Sequence, residues 1–404
     1  MQIIGASRVF LCNDDFDILD AGGIVFDEKI IEVGDFEFLK SKYSNLQNTF
    51  YENAVLLPTF TNPHIHFEFS ANKTDFCYGD FSLWLSSVMQ KRDKILEDKQ
   101  SIQEAIDEQL KSGVGAVGAI SSYGFDLELL AQSPLRVVYF NEVIGSNPAA
   151  VDFLYSNFLK RLEDSQNFKN QKFQPAIAIH SPYSVHYVLA KKALDLARHK
   201  NFLTSVHFLE SVHERNWLDN EGGWFEKFYQ ETLGVKNPTS LYTASEFLDL
   251  FEGFDTLFVH TLFANLEERQ KMLRTGHVIT CPRSNRLLNN QLLDIDGLCG
   301  YGIGTDGKSS NFNLNYLDEL RAMLFGYKNK NCLTLAKEIL KNATFYGARA
   351  LRINSGRICE NFNADFSIFD LHFVEEKDQE ALQFILHAKA PKKIFISGRD
   401  IFYD

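Results

Sequence analysis

The 404-residue sequence predicts an α/β fold, a (β/α)8 TIM-type barrel carrying a small β-sandwich-like domain made from the two chain ends. Three observations predict it. Between about Pro58 and Asn354, short apolar segments alternate with helix-patterned ones, as repeated βα units do. The two ends carry only short apolar runs broken by turn residues. Several polar residues fall just past the apolar segments, at the strand ends where barrels gather catalytic groups.

The barrel part, 58–354, offers eight candidate strands: VLLPTFTN, GAVGAI, LRVVYFNEVI, PAIAIHS, FLTSVHF, TLFVHT, HVITCP and GYGIGTD. A helix opens on the capping box Ser101-Ile-Gln-Glu104 and stops at Gly113. Another runs from Val185 to Lys200, with Ala190, Ala193, Leu194 and Ala197 on one face. The small domain, 1–57 and 355–404, draws on AGGIVFDEKIIEVGD near the start and on ADFSIFDL and Lys393–Tyr403 near the end. Composition agrees with a large core, since 45% of residues are hydrophobic and 36 are Phe.

Charge narrows the partners. A formal net charge of -12 argues against nucleic-acid and anionic-membrane binding, which need basic surfaces, and leaves small molecules. The first residues lack a charged leader followed by an apolar stretch, which predicts a cytoplasmic protein. Six scattered cysteines fit neither a disulfide framework nor a zinc cluster and read as reduced, mostly buried thiols. Gly113-Val-Gly115-Ala-Val-Gly118 spells G-x-G-x-x-G, but it ends a helix and enters a strand, the reverse of the dinucleotide-binding order.

The polar residues past the strands are His66, Glu142, His180, His207, His260, Asn285 and Asp306. In TNPHIHFEF, His64 and His66 stand two apart on an extended segment, so both side chains point to the same side and can chelate one ion. Alone, a His-x-His pair is a weak signal. With His207 after FLTSV and Asp306 after GYGIGT, it becomes three imidazoles and a carboxylate, a set suited to zinc or ferrous iron.

PTFTNPHIHFE, HSPYSV, SVHFLES, FVHTLFANLEE, CPRSN and GIGTDGKSSNFN resemble, in the same order, the strand-end segments of the amidohydrolase superfamily. NATFYGARAL and GRICENFNADFSIFDL resemble its closing helix and its return into the β domain. Within the superfamily these segments are most like deaminases of adenosine-type substrates, and HIHFEFSANKTDFCYGDFSLWL resembles the aminofutalosine deaminases of the alternative menaquinone route. The resemblance implies one divalent metal, zinc or iron, on His64, His66, His207 and Asp306, with Glu210 and His260 beside them as proton-transfer and orienting groups. His180 stands where two-metal members carry a bridging lysine, which favours one metal, and it is expected on the substrate base.

Expectations for the rest of the substrate are Asp93 on the ribose, with Trp84 and Phe81 as an apolar wall. Arg283 or Arg286 is expected on the benzoate of aminofutalosine, because a guanidinium pairs with a carboxylate at two points. The predicted activity is hydrolytic loss of ammonia from C6 of an adenine nucleoside, 6-amino-6-deoxyfutalosine first among them, by a possible homodimer. Two other readings stay open: hydrolysis of another purine, nucleoside or triazine C–N bond, and a metal-free binding protein that kept the barrel without the chemistry.

Overall fold

A computed structural model describes residues 1–372 and 376–402, so Tyr403, the last residue of the predicted Lys393–Tyr403 run, lies outside it. Strands β1 (Gln2–Phe10), β2 (Ile18–Phe26), β3 (Ile30–Asp35) and β4 (Asn48–Pro58) precede the barrel. The barrel strands are β5 (Phe60–Ile65), β6 (Val114–Ser121), β7 (Arg136–Val143), β8 (Phe173–Ile179), β9 (Thr204–Phe208), β10 (Thr256–His260), β11 (Gly276–Thr280) and β12 (Gly302–Ile303). Three strands, β13 (Phe366–Asp370), β14 (Lys393–Ile396) and β15 (Arg399–Asp400), follow.

Strands β5 to β12 form one eight-stranded sheet in sequence order, all neighbours parallel. Strands buried on both faces read as continuous apolar runs, and every residue of β6 and β7 is indeed buried. The seam between β12 and β5 is closed largely by side chains. The Asp306 N–H donates to the His64 carbonyl (3.1 Å), the Asn62 amide donates to the Thr305 hydroxyl (2.8 Å), and the Tyr316 hydroxyl bonds the carbonyls of Thr61 (2.9 Å) and Ile303 (2.7 Å).

The chain ends build one seven-stranded sheet, order β15-β14-β13-β4-β1-β2-β3, with apolar clusters on both faces. The run VLLPTFTN therefore belongs to two strands. Its VLLP part ends β4 in the small sheet, and Phe60 opens β5 after Thr59 has donated its N–H to the Asp365 carbonyl (3.1 Å). Arg136, at the start of β7, joins the two sheets through a buried two-point pair with Asp365 (2.6 and 3.1 Å), which also accepts from the Ser355 hydroxyl (2.5 Å) and the Ser397 N–H (2.8 Å). Arg136→Ala leaves a buried carboxylate unpaired and should cost about 3–5 kcal/mol, read as a lower urea midpoint at unchanged slope.

Several local expectations are corrected. The helix expected at Ser101 spans Lys99–Lys111 and is capped by Asp98, whose carboxylate accepts from the Ser101 N–H (3.1 Å) and hydroxyl (3.0 Å). An acid one position before the helix wins because it satisfies both donors and adds a first turn. The next starts at Tyr187, two residues late, with His186 as its cap. Only Cys12 and Cys281 of the six cysteines are buried; the other four are exposed. In the glycine run, Gly113 takes φ +89° to leave the helix, and a Cβ on Gly118 would stand 2.3 Å from the Pro63 carbonyl oxygen.

Two long excursions on the carboxyl side cover the mouth. One, between β5 and β6, carries the helix Phe81–Lys91; the other, between β9 and β10, carries Val212–Asn220 and the turn Phe228–Thr232.

Candidate metal centre and active site

Period-2 geometry at the end of β5 places His64 and His66 with their rings 5.0 Å apart, and the ends of β9 and β12 bring His207 and Asp306 against them. The His207 Nε2 lies 3.2 Å from His64 Nε2 and 3.3 Å from His66 Nε2, and both of the latter lie 3.6 Å from Asp306 Oδ1. Four donors bound tetrahedrally at about 2.0–2.1 Å from one zinc-like ion stand about 3.3–3.4 Å apart, so this spacing fits a single divalent cation.

The protonation states fit as well. His207 Nδ1 donates to the His180 carbonyl (2.9 Å), which leaves the Nε2 lone pair facing the centre. Burial pushes the imidazoles of His64, His66 and His207 down, His66 to about 4, and neutral imidazole is the metal-binding form. Burial alone would raise Asp306, but the hydrogen bond with His64 and the neighbouring imidazoles hold its carboxyl well below the usual range. The His207 Nε2 lone pair thus faces the Nε2 atoms of two neutral imidazoles at 3.2–3.3 Å, an arrangement that a cation between them would satisfy.

Beside the donors, His260 Nε2 lies 3.7 Å from Glu210 Oε1 and 3.9 Å from Asp306 Oδ2. Its Nδ1 donates to Asn285 Oδ1 (2.8 Å), so Nε2 points into the site. Burial raises the Glu210 carboxyl well above the usual range, and the charge of Asp306 adds to the rise. Leu209, His260 and Asp306 have φ of +49°, +69° and +56°, so the residue before Glu210 and two site residues occupy the left-handed region that non-glycine residues avoid. Supporting bonds hold them there. Glu214 accepts the N–H groups of Leu209 (2.8 Å) and Glu210 (3.0 Å), and Asp306 accepts from Ser284 (2.8 Å), Ser310 (2.7 Å) and the Gly307 N–H (2.8 Å).

A cavity of about 380 Å³ opens over these groups, inside the usual range for small-molecule sites. His180 lines it, its Nδ1 bonded to the Ser184 hydroxyl (2.6 Å), together with Trp84, whose indole N–H donates to the Ser309 carbonyl (2.8 Å). Other expected contacts are corrected. Phe81 is buried outside the lining, in contact with Trp84 and Tyr183. The Asp93 side chain is 92% exposed and points away; its neighbour Arg92 lines the cavity instead.

Arg283 is buried with Nε on Glu319 (2.6 Å) and Nη1 on Asn313 (2.6 Å), so its fork is already filled, and Arg286 is exposed outside the cavity. Neither guanidinium is free to meet a ligand there. Among groups the residue pattern left without a role, Glu142 lines the cavity with Oε1 buried and unpartnered, Oε1 lying 4.0 Å from His207 Nδ1. Its place at the end of β7 is the only signal the sequence offered. Ser284 and Ser310 lie inside CPRSN and GIGTDGKSSNFN, motifs already marked, yet spacing alone did not aim them at Asp306.

The family model described as "Amidohydrolase family" matches residues 55–401. The chain belongs to the amidohydrolase family. Among its members, the adenosine deaminase of Helicobacter pylori is 45% identical over 99% of both chains, and the aminodeoxyfutalosine deaminase of Nitratiruptor sp. is 45% identical over 95% of this chain and 96% of the other. The crystal structure of Helicobacter pylori aminofutalosine deaminase in complex with methylthio-coformycin superposes with a TM-score of 0.96 at 45% identity, covering 99% of this chain and 100% of that one. The same eight-stranded barrel, with a small sheet made from the chain ends, underlies this amidohydrolase. No helix among the described residues is long and apolar enough to cross a membrane.

Proposed function

We infer that this amidohydrolase is a hydrolytic deaminase that replaces the 6-amino group of an adenine nucleoside by oxygen and releases ammonia, with 6-amino-6-deoxyfutalosine as its substrate. The observation that carries this reading is the convergence of His64, His66, His207 and Asp306 at 3.2–3.6 Å, with Glu210 and His260 at its edge. End-to-end identity of 45% to relatives named for deamination of adenosine and of aminodeoxyfutalosine supports it.

His64, His66, His207 and Asp306 would hold one divalent ion, zinc or ferrous iron, both of which accept three imidazoles and a carboxylate. Such an ion lowers the pKa of its water to about 7, making a nucleophile available near neutral pH. The chain's own groups do the rest. The Glu210 carboxylate takes a proton from the attacking water and delivers it to N1 of the purine, which makes C6 electrophilic. Its raised affinity for a proton suits a group that must both accept and return one.

His260 Nε2, with Nδ1 committed to Asn285, accepts a hydrogen bond from the attacking water and fixes its approach to C6. Addition of the water oxygen to C6 gives a tetrahedral carbon that carries a hydroxyl and the amino group; Glu210, its first proton now on N1, takes the hydroxyl proton and passes it to the amino group, the C6–N bond breaks, and the 6-oxo product forms with ammonia. His180, at the cavity wall beside His207, is the contact for the purine ring, and Trp84 gives part of the apolar wall. Ammonia release from 6-amino-6-deoxyfutalosine, adenosine, methylthioadenosine, S-adenosylhomocysteine and guanine tests the reading. We expect the first to give the highest kcat/KM; ammonia from guanine alone, or from none of the five, overturns the assignment.

A further inference from the structure

The deaminase reading fixes which way a nucleoside lies in the cavity. Its C6 must reach Glu210 and His260 at the bottom, so the ribose and whatever its 5′ carbon carries extend toward the mouth. The bottom is rich in acids, with Glu142, Glu210 and Asp306 all lining the cavity. Toward the mouth the wall is apolar, formed by Phe69, Leu85, Val88 and Met89, and Arg92 is the one Lys or Arg among the described residues that line the cavity.

Among the described residues that guanidinium has no built partner. Nε stands 3.7 Å from the Asp93 carboxylate, beyond hydrogen-bond range, and that carboxylate is 92% exposed and solvated. Nη1 meets only the Met89 sulfur, at 3.7 Å. The Arg92 side chain is itself only 32% exposed. Its remaining donors are open to water and to a ligand, whereas those of the buried Arg283 are filled by Glu319 and Asn313. Tyr123 also lines the cavity, its ring stacked on Phe125 with centroids 5.7 Å apart.

Resting on the deaminase reading, we propose that Arg92 is the specificity residue of this site, pairing with a carboxylate on an aryl group attached at the 5′ side of the nucleoside. The geometry favours a monocarboxylate over a phosphate. One planar fork matches one carboxylate at two points, whereas a dianion among three acids would need a second cation that the lining lacks. The apolar wall beside Arg92 suits the aryl ring that carries the charge. The carboxylate would displace the weak Asp93 contact and complete the guanidinium's bonding.

The test compares the full-length enzyme with Arg92→Ala and Arg92→Lys on 6-amino-6-deoxyfutalosine and on its methyl ester, which has the same shape without the charge. For the wild type, kcat/KM should favour the acid; in Arg92→Ala the ratio of acid to ester should fall about 10- to 100-fold, chiefly through KM for the acid. Arg92→Lys should restore part of the ratio, since it keeps the charge and loses the fork. An unchanged ratio in Arg92→Ala overturns the proposal while leaving the deaminase reading intact. Failure of the wild type to release ammonia from either compound overturns the deaminase reading and this proposal with it.

Discussion

Glu210→Gln should retain the metal and the nucleoside and lose about 10²- to 10⁴-fold in kcat, the usual weight of a positioned proton-transfer group. Gln matches Glu in shape, so packing survives, and the backbone N–H of Glu210 is held by Glu214 independently of the side chain. What disappears is the oxygen that accepts the proton of the water and returns it to the purine. Elemental analysis should show equal metal in both proteins, and single-turnover kinetics should place the loss in the chemical step. A fully active variant would refute the proton-transfer role.

The same substitution has a pH signature in the metal-free protein. The Glu210 carboxyl is raised in the folded state by burial and then by Asp306, so folded protein binds that proton more tightly than unfolded chain does. Stability from this group is present at low pH and declines as pH rises from the ordinary carboxylate range through the raised value. Glu210→Gln should flatten that part of the stability curve, measured by denaturant unfolding across the pH range.

His207→Ala should abolish metal retention and, with it, turnover. It removes one of four donors and the side-chain bond to the His180 carbonyl, while the backbone N–H of residue 207 still ties β9 to that carbonyl (3.0 Å). Losing even an outer supporting contact of a metal ligand costs about 10- to 100-fold in affinity, so loss of the ligand itself should exceed 100-fold. In metal at 100 times its Kd, the wild type gains about 2.7 kcal/mol of stability from the bound ion. A chelator should therefore lower the wild-type melting temperature toward that of His207→Ala and leave the variant unchanged. Identical melting before and after chelation, with no metal found, would instead support a binding protein without the chemistry.

The two variants separate roles that sequence spacing alone could only place side by side. His-x-His was legible because an extended strand returns side chains to one face every two residues, and a buried β5 leaves that face only the barrel axis. His207, His260 and Asp306 were legible for a related reason. Each directly ends or follows a short apolar run, and parallel strands deliver such ends to one rim.

His180 and Trp84 were expected at the cavity and line it, but the places of Phe81, Asp93, Arg283 and Arg286 were not legible, and these residues show why. Asp93 and Arg92 are adjacent at the end of the helix Phe81–Lys91, where one residue turns the chain by about 100°, so which of them enters the cavity depends on how that helix docks. Arg283 and Arg286 lie in a motif at the rim, yet Glu319, distant in sequence, captures one and solvent takes the other. Glu142 stands at a strand end like the candidate donors, but an unpartnered oxygen becomes visible only once its surroundings are assembled.

By itself, then, the sequence determined the alternation of strand and helix, the rim residues that converge, and a set of three imidazoles and a carboxylate suited to a borderline metal. These follow from local periodicity and residue chemistry. Only the tertiary structure decided that the donors stand 3.2–3.6 Å apart, that Glu214 and the serines hold strained backbone in place, and that Arg92 faces the cavity. Those depend on long-range packing of loops and helices, whose side-chain directions no local pattern fixes.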